Sequence, residues 1–324
     1  LGEGVKLIIN STGKNIKLDL ILSITLYKAC HAVFVEAECR NNLSKPIILK
    51  TIEPICATGE HGGALHWNQT SKLLTNGPMY YDPGSVFDFS APDNKARQSW
   101  WNIGLFRGYD NEGLAIGAVE NHTAQGKITV SRSYGNEIGL VAQSVFADGF
   151  SLNPGKSIRS NKFVFYIGEN PYTALEGYAG IMGKLNKART NSIINGWCNW
   201  FFTYEHITED EVIRNAEFAS RVLKPYGMEY IQVDEGYQRW HGEWEGNDRF
   251  PHGMKWLADR IHTLGLKPGL WIAPYVISEP TGIFSNHKEW LIKNPDGTLK
   301  RVGPWPGEDT DWARNESPKR YGLD

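Results

Sequence analysis

From position 16 to position 27 an apolar side chain occupies every even position: Ile16, Leu18, Leu20, Leu22, Ile24 and Leu26. The odd positions carry Lys17, Asp19, Ile21, Ser23, Thr25 and Tyr27. A period of two over this length predicts a β-strand with one buried face and one solvated face. Val33, Val35, Ala37 and Cys39 repeat the pattern against Glu36 and Glu38. Further strands are expected over 127–133, 137–146 and 162–167, separated by clusters of Gly, Asn, Asp and Pro that read as turns. No helical period interrupts residues 1–169, so this half is expected to form a mainly antiparallel β-sandwich domain.

The period changes after Asn170. Asn170-Pro171 reads as an N-cap followed by proline at the first helical position. Leu175, Tyr178, Met182 and Leu185 then share one face of a helix ending near Asn186. Residues 170–191 are therefore expected to be a linker helix and a polar linker. Beyond them the order becomes strand, helix, strand, helix, strand. Apolar runs at 193–197, 228–233 and 266–273 alternate with two helical stripes. The first helix opens on a capping box at Thr208–Glu211 and stops at Pro225 and Gly227, with Val212, Ala216, Ala219 and Leu223 on its apolar face. The second carries Met254, Leu257, Ala258, Ile261 and Leu264, with Gly265 as its stop. Repeats of about 35 residues with this alternation predict consecutive βαβ units and a parallel sheet. No Gly-rich phosphate loop follows any of the strands, which argues against a nucleotide-binding sheet.

A chain of 324 residues is long enough for two domains, and 41% hydrophobic with 22% charged residues is a globular mix. Lys plus Arg number 34 and Asp plus Glu 36, a balance that argues against nucleic acid as the main partner. No apolar run reaches the length of a membrane span. The chain opens at Leu1 without Met or an apolar leader, so it is expected to be a trimmed sequence whose targeting signal and compartment cannot be read. The four cysteines form no metal-binding spacing. Cys30 and Cys39 could pair across adjacent strands or remain free thiols. No cofactor is implied, and homo-oligomerisation stays open.

In a parallel βα domain the working residues gather where strands end. The first strand here runs into Trp197-Cys198-Asn199-Trp200, the second into Asp234-Glu235-Gly236-Tyr237, and the third into Trp271-Ile272-Ala273. Six of the twelve tryptophans fall within residues 196–275, about twice an even share. A single Trp at a strand end is ordinarily packing, and a single Asp-Glu pair is ordinarily a cap or an ion-pair partner. His241, His252 and His262 match no ligand or triad spacing and read as structural. Three successive strand ends with Trp and carboxylates together describe a sugar site. Carboxylates accept hydrogen bonds from vicinal hydroxyls, and indoles stack on the C–H face of a pyranose.

Four blocks stand in order: Gly196-Trp197-Cys198-Asn199-Trp200, Val233-Asp234-Glu235-Gly236-Tyr237, Arg249-Phe250-Pro251-His252-Gly253-Met254 and Gly269-Leu270-Trp271-Ile272-Ala273-Pro274. Together they resemble the melibiase-type α-galactosidases of glycoside hydrolase family 36 and, more distantly, family 27. The resemblance covers residues 190–324. It implies an N-terminal β-sandwich, a (β/α)8 TIM barrel and a retaining hydrolase that needs no metal or cofactor. It further implies that Trp200, Asp234 and Trp271 line the sugar subsite of an oligosaccharide or glycoside substrate, and Glu235 is added as their neighbour. The family usually has a second aspartate where this chain has Glu235, whose extra methylene displaces the carboxylate by about 1.5 Å. A transglycosylase of the raffinose-synthase type, or a carbohydrate-binding protein without catalysis, are the alternatives.

A complete barrel takes about 250 residues, whereas residues 192–324 number 133. The expectation is therefore the N-terminal portion of a barrel. The resemblance implies that the nucleophile follows the fourth barrel strand and the acid/base a later one, so both are expected beyond residue 324; Asp309, Asp311 and Asp324 end no apolar strand.

Overall fold

The computed structural model describes the chain except residues 13–17, 68, 79–81, 90–94, 123, 133–136, 191–192, 295, 303–318 and 324. The chain divides into two compact units, Leu1–Arg189 and Thr190–Asp324.

The first unit contains β1 Gly4–Thr12, β2 Leu18–Tyr27, β3 Ala32–Asn41, β4 Ile47–Ala57, β5 Thr70–Thr75, β6 Ser85–Asp88 and β7 Arg97–Trp100. It continues with β8 Asn102–Arg107, β9 Gly113–Ala118, β10 Gln125–Arg132, β11 Ile138–Leu152, β12 Ser157–Arg159, β13 Phe163–Gly168 and the helix α1 Pro171–Leu185. One sheet has the order β1-β2-β3-β13-β9-β8-β5-β6 with β12 also on β3, and the other β4-β11-β10-β7. A core of Leu73, Ile103, Leu105, Leu114, Ile116 and Phe163 from the first sheet meets Ile128, Val130, Ile138, Leu140 and Ala142 from the second. This is a β-sandwich.

The alternation in β2 forms a strand, but its apolar face is not the core face expected. Leu20 and Leu26 are 41% and 51% exposed, while Ser23 is buried. The first sheet is wider than the second. Among the described residues, only Leu18 and Leu22 of β2 reach the cluster built around Ile52, Phe146 and Leu152, and the second sheet does not extend over β1.

α1 is capped as its sequence requires. The Asn170 side chain accepts from the backbone N–H groups of Tyr172 and Thr173, and the Thr173 hydroxyl accepts from the Asn170 N–H. The helix lies on the outer face of the first sheet, where Ala174, Tyr178 and Ile181 bury against Ala32, Phe34, Ala115 and Val164. Met182, expected on the buried face, is 36% exposed, because the stripe is rotated by about one residue. The seat is made by Gly113, Ala115 and Gly117 of β9. A Cβ on Gly117 would stand 2.7 Å from the Tyr178 ring, and the Tyr178 hydroxyl donates to the Ala118 carbonyl at 2.6 Å. Burial pushes that phenol up to about 12. Gly117→Ala is expected to destabilise the first unit by about 1–3 kcal/mol through overpacking. Urea denaturation checks this, and an unchanged midpoint would contradict it.

In the second unit β14 Gly196–Cys198, β15 Tyr230–Val233 and β18 Lys267–Leu270 pair in parallel in the order β14-β15-β18. The helices α3 Glu209–Phe218 and α4 Gly253–Thr263 cover one face, burying Val212, Ala216, Leu257 and Ile261 against Ile231 and Val233. The strands are shorter than their apolar runs. Ile193 and Ile194 are exposed, and the first strand starts at Gly196, which pairs with Tyr230. Met228 and Leu266 pack with the helices and do not join the ladder. Two features go beyond the sequence reading. A hairpin, β16 Gln238–Trp240 with β17 Glu243–Gly246, follows β15. A small antiparallel sheet joins β19 Val276–Ser278, β21 Arg320–Gly322 and β20 Arg301–Val302. Beside it lies the short helix α5 Gly282–Asn286. No helix among the described residues is long and apolar enough to cross a membrane.

Candidate sugar-binding site

Parallel register aligns the three strand ends. Cys198 stands opposite Gln232 and Val233 opposite Leu270, so Asn199, Asp234 and Trp271 leave the sheet at the same edge. Asn199 ties two of these ends together. It is fully buried, its Oδ1 accepts the Asp234 N–H at 2.7 Å, and its Nδ2 donates to the Thr203 hydroxyl and the Tyr204 carbonyl. Tyr204 ends the single turn α2 Trp200–Thr203 at φ 47° and ψ −133°, a region that a bulky residue rarely adopts. The same turn sets the Trp200 ring edge-on to Tyr204 at 5.4 Å.

Asp234 is half-buried. Its Oδ2 accepts from Gln232 Nε2 at 3.0 Å and from the Cys198 thiol at 3.3 Å, and its Oδ1 accepts its neighbour's N–H at 2.8 Å. Two oxygens with about four lone-pair sites retain capacity for sugar hydroxyls. Partial desolvation and, after it, the Asp234 carboxylate push the Cys198 thiol above its ordinary range, against the lowering effect of a backbone hydrogen bond at Trp200. A raised thiol pKa lowers the thiolate fraction at a given pH, so Cys198 should alkylate more slowly at pH 8 than a free cysteine. Asp234→Asn should speed that reaction several-fold. Mass-spectrometric rates of iodoacetamide labelling test both statements, and an Asp234→Asn rate equal to wild type would refute the coupling.

Glu235, next in sequence, has different surroundings. It is 7% exposed, and its Oε1 lies 3.0 Å from Nε2 of His241, which is 5% exposed. Gly236 follows at φ 114°, pressed so closely on Glu205 that a Cβ there would lie 2.4 Å from the Glu205 carbonyl oxygen. The Gly236 carbonyl accepts from Asn247 Nδ2 and Arg249 Nη2. Burial lowers the Arg249 guanidinium from its ordinary value, against the opposing charge of Glu205. Glu235, His241, Glu205, Arg249 and Arg320 line a polar cavity of about 220 Å³.

The Trp271 backbone is held on both sides. Its N–H donates to the Val233 carbonyl at 2.9 Å and its carbonyl accepts from the Tyr237 hydroxyl at 3.1 Å. Burial pushes the Tyr237 phenol up to about 12, so it remains a donor. The Trp271 ring meets His241 and Trp244.

Of the four residues expected from sequence, Asp234 and Trp271 share the aligned edge, with Trp200 one residue beyond Asn199. Glu235 is turned into the buried cluster. Sequence reasoning missed Asn199, Gln232, Cys198 and Tyr237, and it read His241 only as structural. The available signal for Asn199 was a lone amide inside the aromatic run Trp197–Phe202. Asp309, Asp311 and Asp324 lie outside the described residues. All four cysteines are free. Among the described residues no cluster of three or more His, Cys, Asp or Glu could hold a metal ion.

Fold and strand ends define the class: a β-sandwich and, in the second unit, the first βα units of a (β/α)8 barrel with a carboxylate and indoles at its strand ends. Residues 178–302 match the melibiase family model. An α-galactosidase of Geobacillus stearothermophilus is 29% identical over 163 residues, covering 45% of this chain and 21% of that protein. An A type blood α-D-galactosamine galactosaminidase of Flavonifractor plautii is 25% identical over 260 residues, 72% of this chain and 23% of that protein. Among solved structures, the Thermus thermophilus α-galactosidase with p-nitrophenyl α-D-galactopyranoside has a TM-score of 0.60 at 19% identity, covering 99% of this chain and 57% of that one. The family 36 enzyme of G. stearothermophilus with stachyose gives 0.65 at 16%, covering 99% and 45%. These structural likenesses establish the fold. The chain matches less than a quarter of the length of these curated relatives. Over residues 178–302 it is similar to the melibiase-type enzymes of glycoside hydrolase family 36.

Proposed function

We propose that the protein is a glycoside hydrolase of the α-galactosidase type, which releases terminal α-galactosyl residues from oligosaccharides with retention of configuration. The observation that carries this reading is the common edge of Asn199, Asp234 and Trp271, within the stretch that matches the melibiase family. In this reading Asp234 accepts sugar hydroxyls, and Trp200 and Trp271 offer indole faces to the pyranose. The solved relatives that hold stachyose and raffinose support an oligosaccharide substrate. Retention needs two carboxyl groups about 5–5.5 Å apart on opposite sides of the scissile bond. Asp234 and Glu235 are adjacent in sequence and turned to different partners, which suits holding and positioning better than that chemistry.

Galactose calorimetry and p-nitrophenyl α-galactoside turnover test the proposal. We expect galactose to bind saturably at this strand end. Turnover would place the hydrolytic pair among the chain's own acids, and absence of binding would refute the site. Transfer to an added galactoside acceptor in place of water would mark the transglycosylase alternative. A second reading, an α-galactosaminide substrate, is favoured by the galactosaminidase match over 72% of the chain. Tighter binding of galactosamine than of galactose would select it. The proposal extends to self-association, supported by the edge strand β1, on which Val5, Leu7, Ile8 and Ile9 are all exposed. A monomer in sedimentation at micromolar concentration would dismiss that part.

A further inference from the structure

We propose that His241 is a positioning residue for the aromatic wall of the sugar site, and that Glu235 acts through His241 without touching substrate. The inference rests on the reading of Trp271 as a sugar platform. Asp234 and Glu235 leave the same strand end, yet Asp234 meets Gln232 and Cys198 while Glu235 is buried against His241. A buried carboxylate is costly unless a donor or a cation lies beside it, and the imidazole Nε2 stands 3.0 Å from Glu235 Oε1, within ion-pair distance but without hydrogen-bond alignment.

The hairpin β16–β17 delivers this imidazole. Trp240 pairs with Glu243, so His241 and Gly242 form the two-residue turn, and Trp244 lies on the returning strand. The rings of His241, Trp244 and Trp271 then close a triangle. Their centroids are 6.3, 5.9 and 6.2 Å apart, with planes crossing at 77°, 82° and 74°. All three contacts fall in the edge-to-face range favoured by aromatic quadrupoles, so each ring plane fixes the other two. Val233 and Tyr237 hold the Trp271 backbone but leave its ring torsions to this triangle. A stacking platform depends on the orientation of its plane. Glu235 sets the imidazole, the imidazole sets the indole, and the indole meets the sugar. Plain core packing would give a different result: loss of His241 would lower stability without changing how the folded protein binds galactose.

The experiment uses the whole chain labelled with fluorinated tryptophan, observed by fluorine NMR and titrated with galactose. His241→Gln keeps a donor for Glu235 but removes the ring. It should move the Trp244 and Trp271 resonances without sugar present, and weaken galactose binding by about three- to tenfold. Glu235→Gln keeps an acceptor for the imidazole and should weaken binding by no more than about threefold, clearly less than Asp234→Ala. If His241→Gln leaves the Trp271 resonance and the affinity unchanged, the inference is overturned. It is equally overturned if Glu235→Gln matches the loss in Asp234→Ala, because Glu235 would then touch the sugar. Trp271→Ala separates the two levels. Unchanged affinity in that variant removes the platform reading itself. A loss there, with His241→Gln unaffected, removes only the positioning role.

Discussion

Replacing Asp234 by Ala should weaken galactose binding by about 1.5–3 kcal/mol, the range for hydrogen bonds to a charged group. That corresponds to a roughly ten- to 150-fold rise in Kd, measured by calorimetry. The size follows from what the residue retains after folding. Gln232, Cys198 and the Glu235 N–H occupy part of the carboxylate, and the remaining lone pairs are the ones the proposed function assigns to sugar hydroxyls. Asp234→Asn keeps an acceptor and loses the charge, so its loss should be smaller. Equal galactose affinity in wild type and Asp234→Ala would end the assignment of this strand end as the sugar site.

Asn199→Ala should destabilise the second unit by roughly 2–4 kcal/mol. Asn199 is fully buried, and its amide satisfies the Asp234 N–H on one side and the Tyr204 carbonyl on the other. An alanine leaves both backbone groups without that partner. It also releases the turn that holds Tyr204 at φ 47°. Asn199→Asp retains the acceptor for the Asp234 N–H but sets a buried carboxylate oxygen against the Tyr204 carbonyl, so it should be at least as destabilising as alanine. Urea denaturation of the three proteins gives the order, and an Asn199→Ala midpoint equal to wild type would show that the two ends are held otherwise.

Period and apolar runs were enough to place both halves in their classes, because burial on one face of a strand or one stripe of a helix is written locally. The N-cap at Asn170 and the capping box at Thr208 were legible for the same reason: donor and acceptor are at most three residues apart. Strand limits were not legible. Ile193 and Ile194 favour a strand by propensity, but the ladder begins where Gly196 finds Tyr230, a pairing that spans 34 residues. The exposed apolar face of β2 was equally hidden, since it depends on how many strands the opposite sheet supplies. Within the site, a sugar cup of Trp and carboxylates could be proposed from strand ends, and the family resemblance singled out Asp234, Trp200 and Trp271. The Glu235–His241 pair could not, because it depends on a two-residue hairpin turn whose sequence, Trp240-His241-Gly242-Glu243, has no period to announce it.

The close approach of Gly236 to Glu205 also limits how this site can diversify in evolution. A side chain at 236 collides with backbone, and an insertion or deletion between Asp234 and Gly236 would carry one acid into the other's surroundings. The backbone here accommodates substitution at 234 and 235 more readily than a change of length. Length variation is better absorbed downstream, at the hairpin turn. Exchanging that turn would alter the imidazole and Trp244 while leaving the parallel ladder, Asn199 and Asp234 in place.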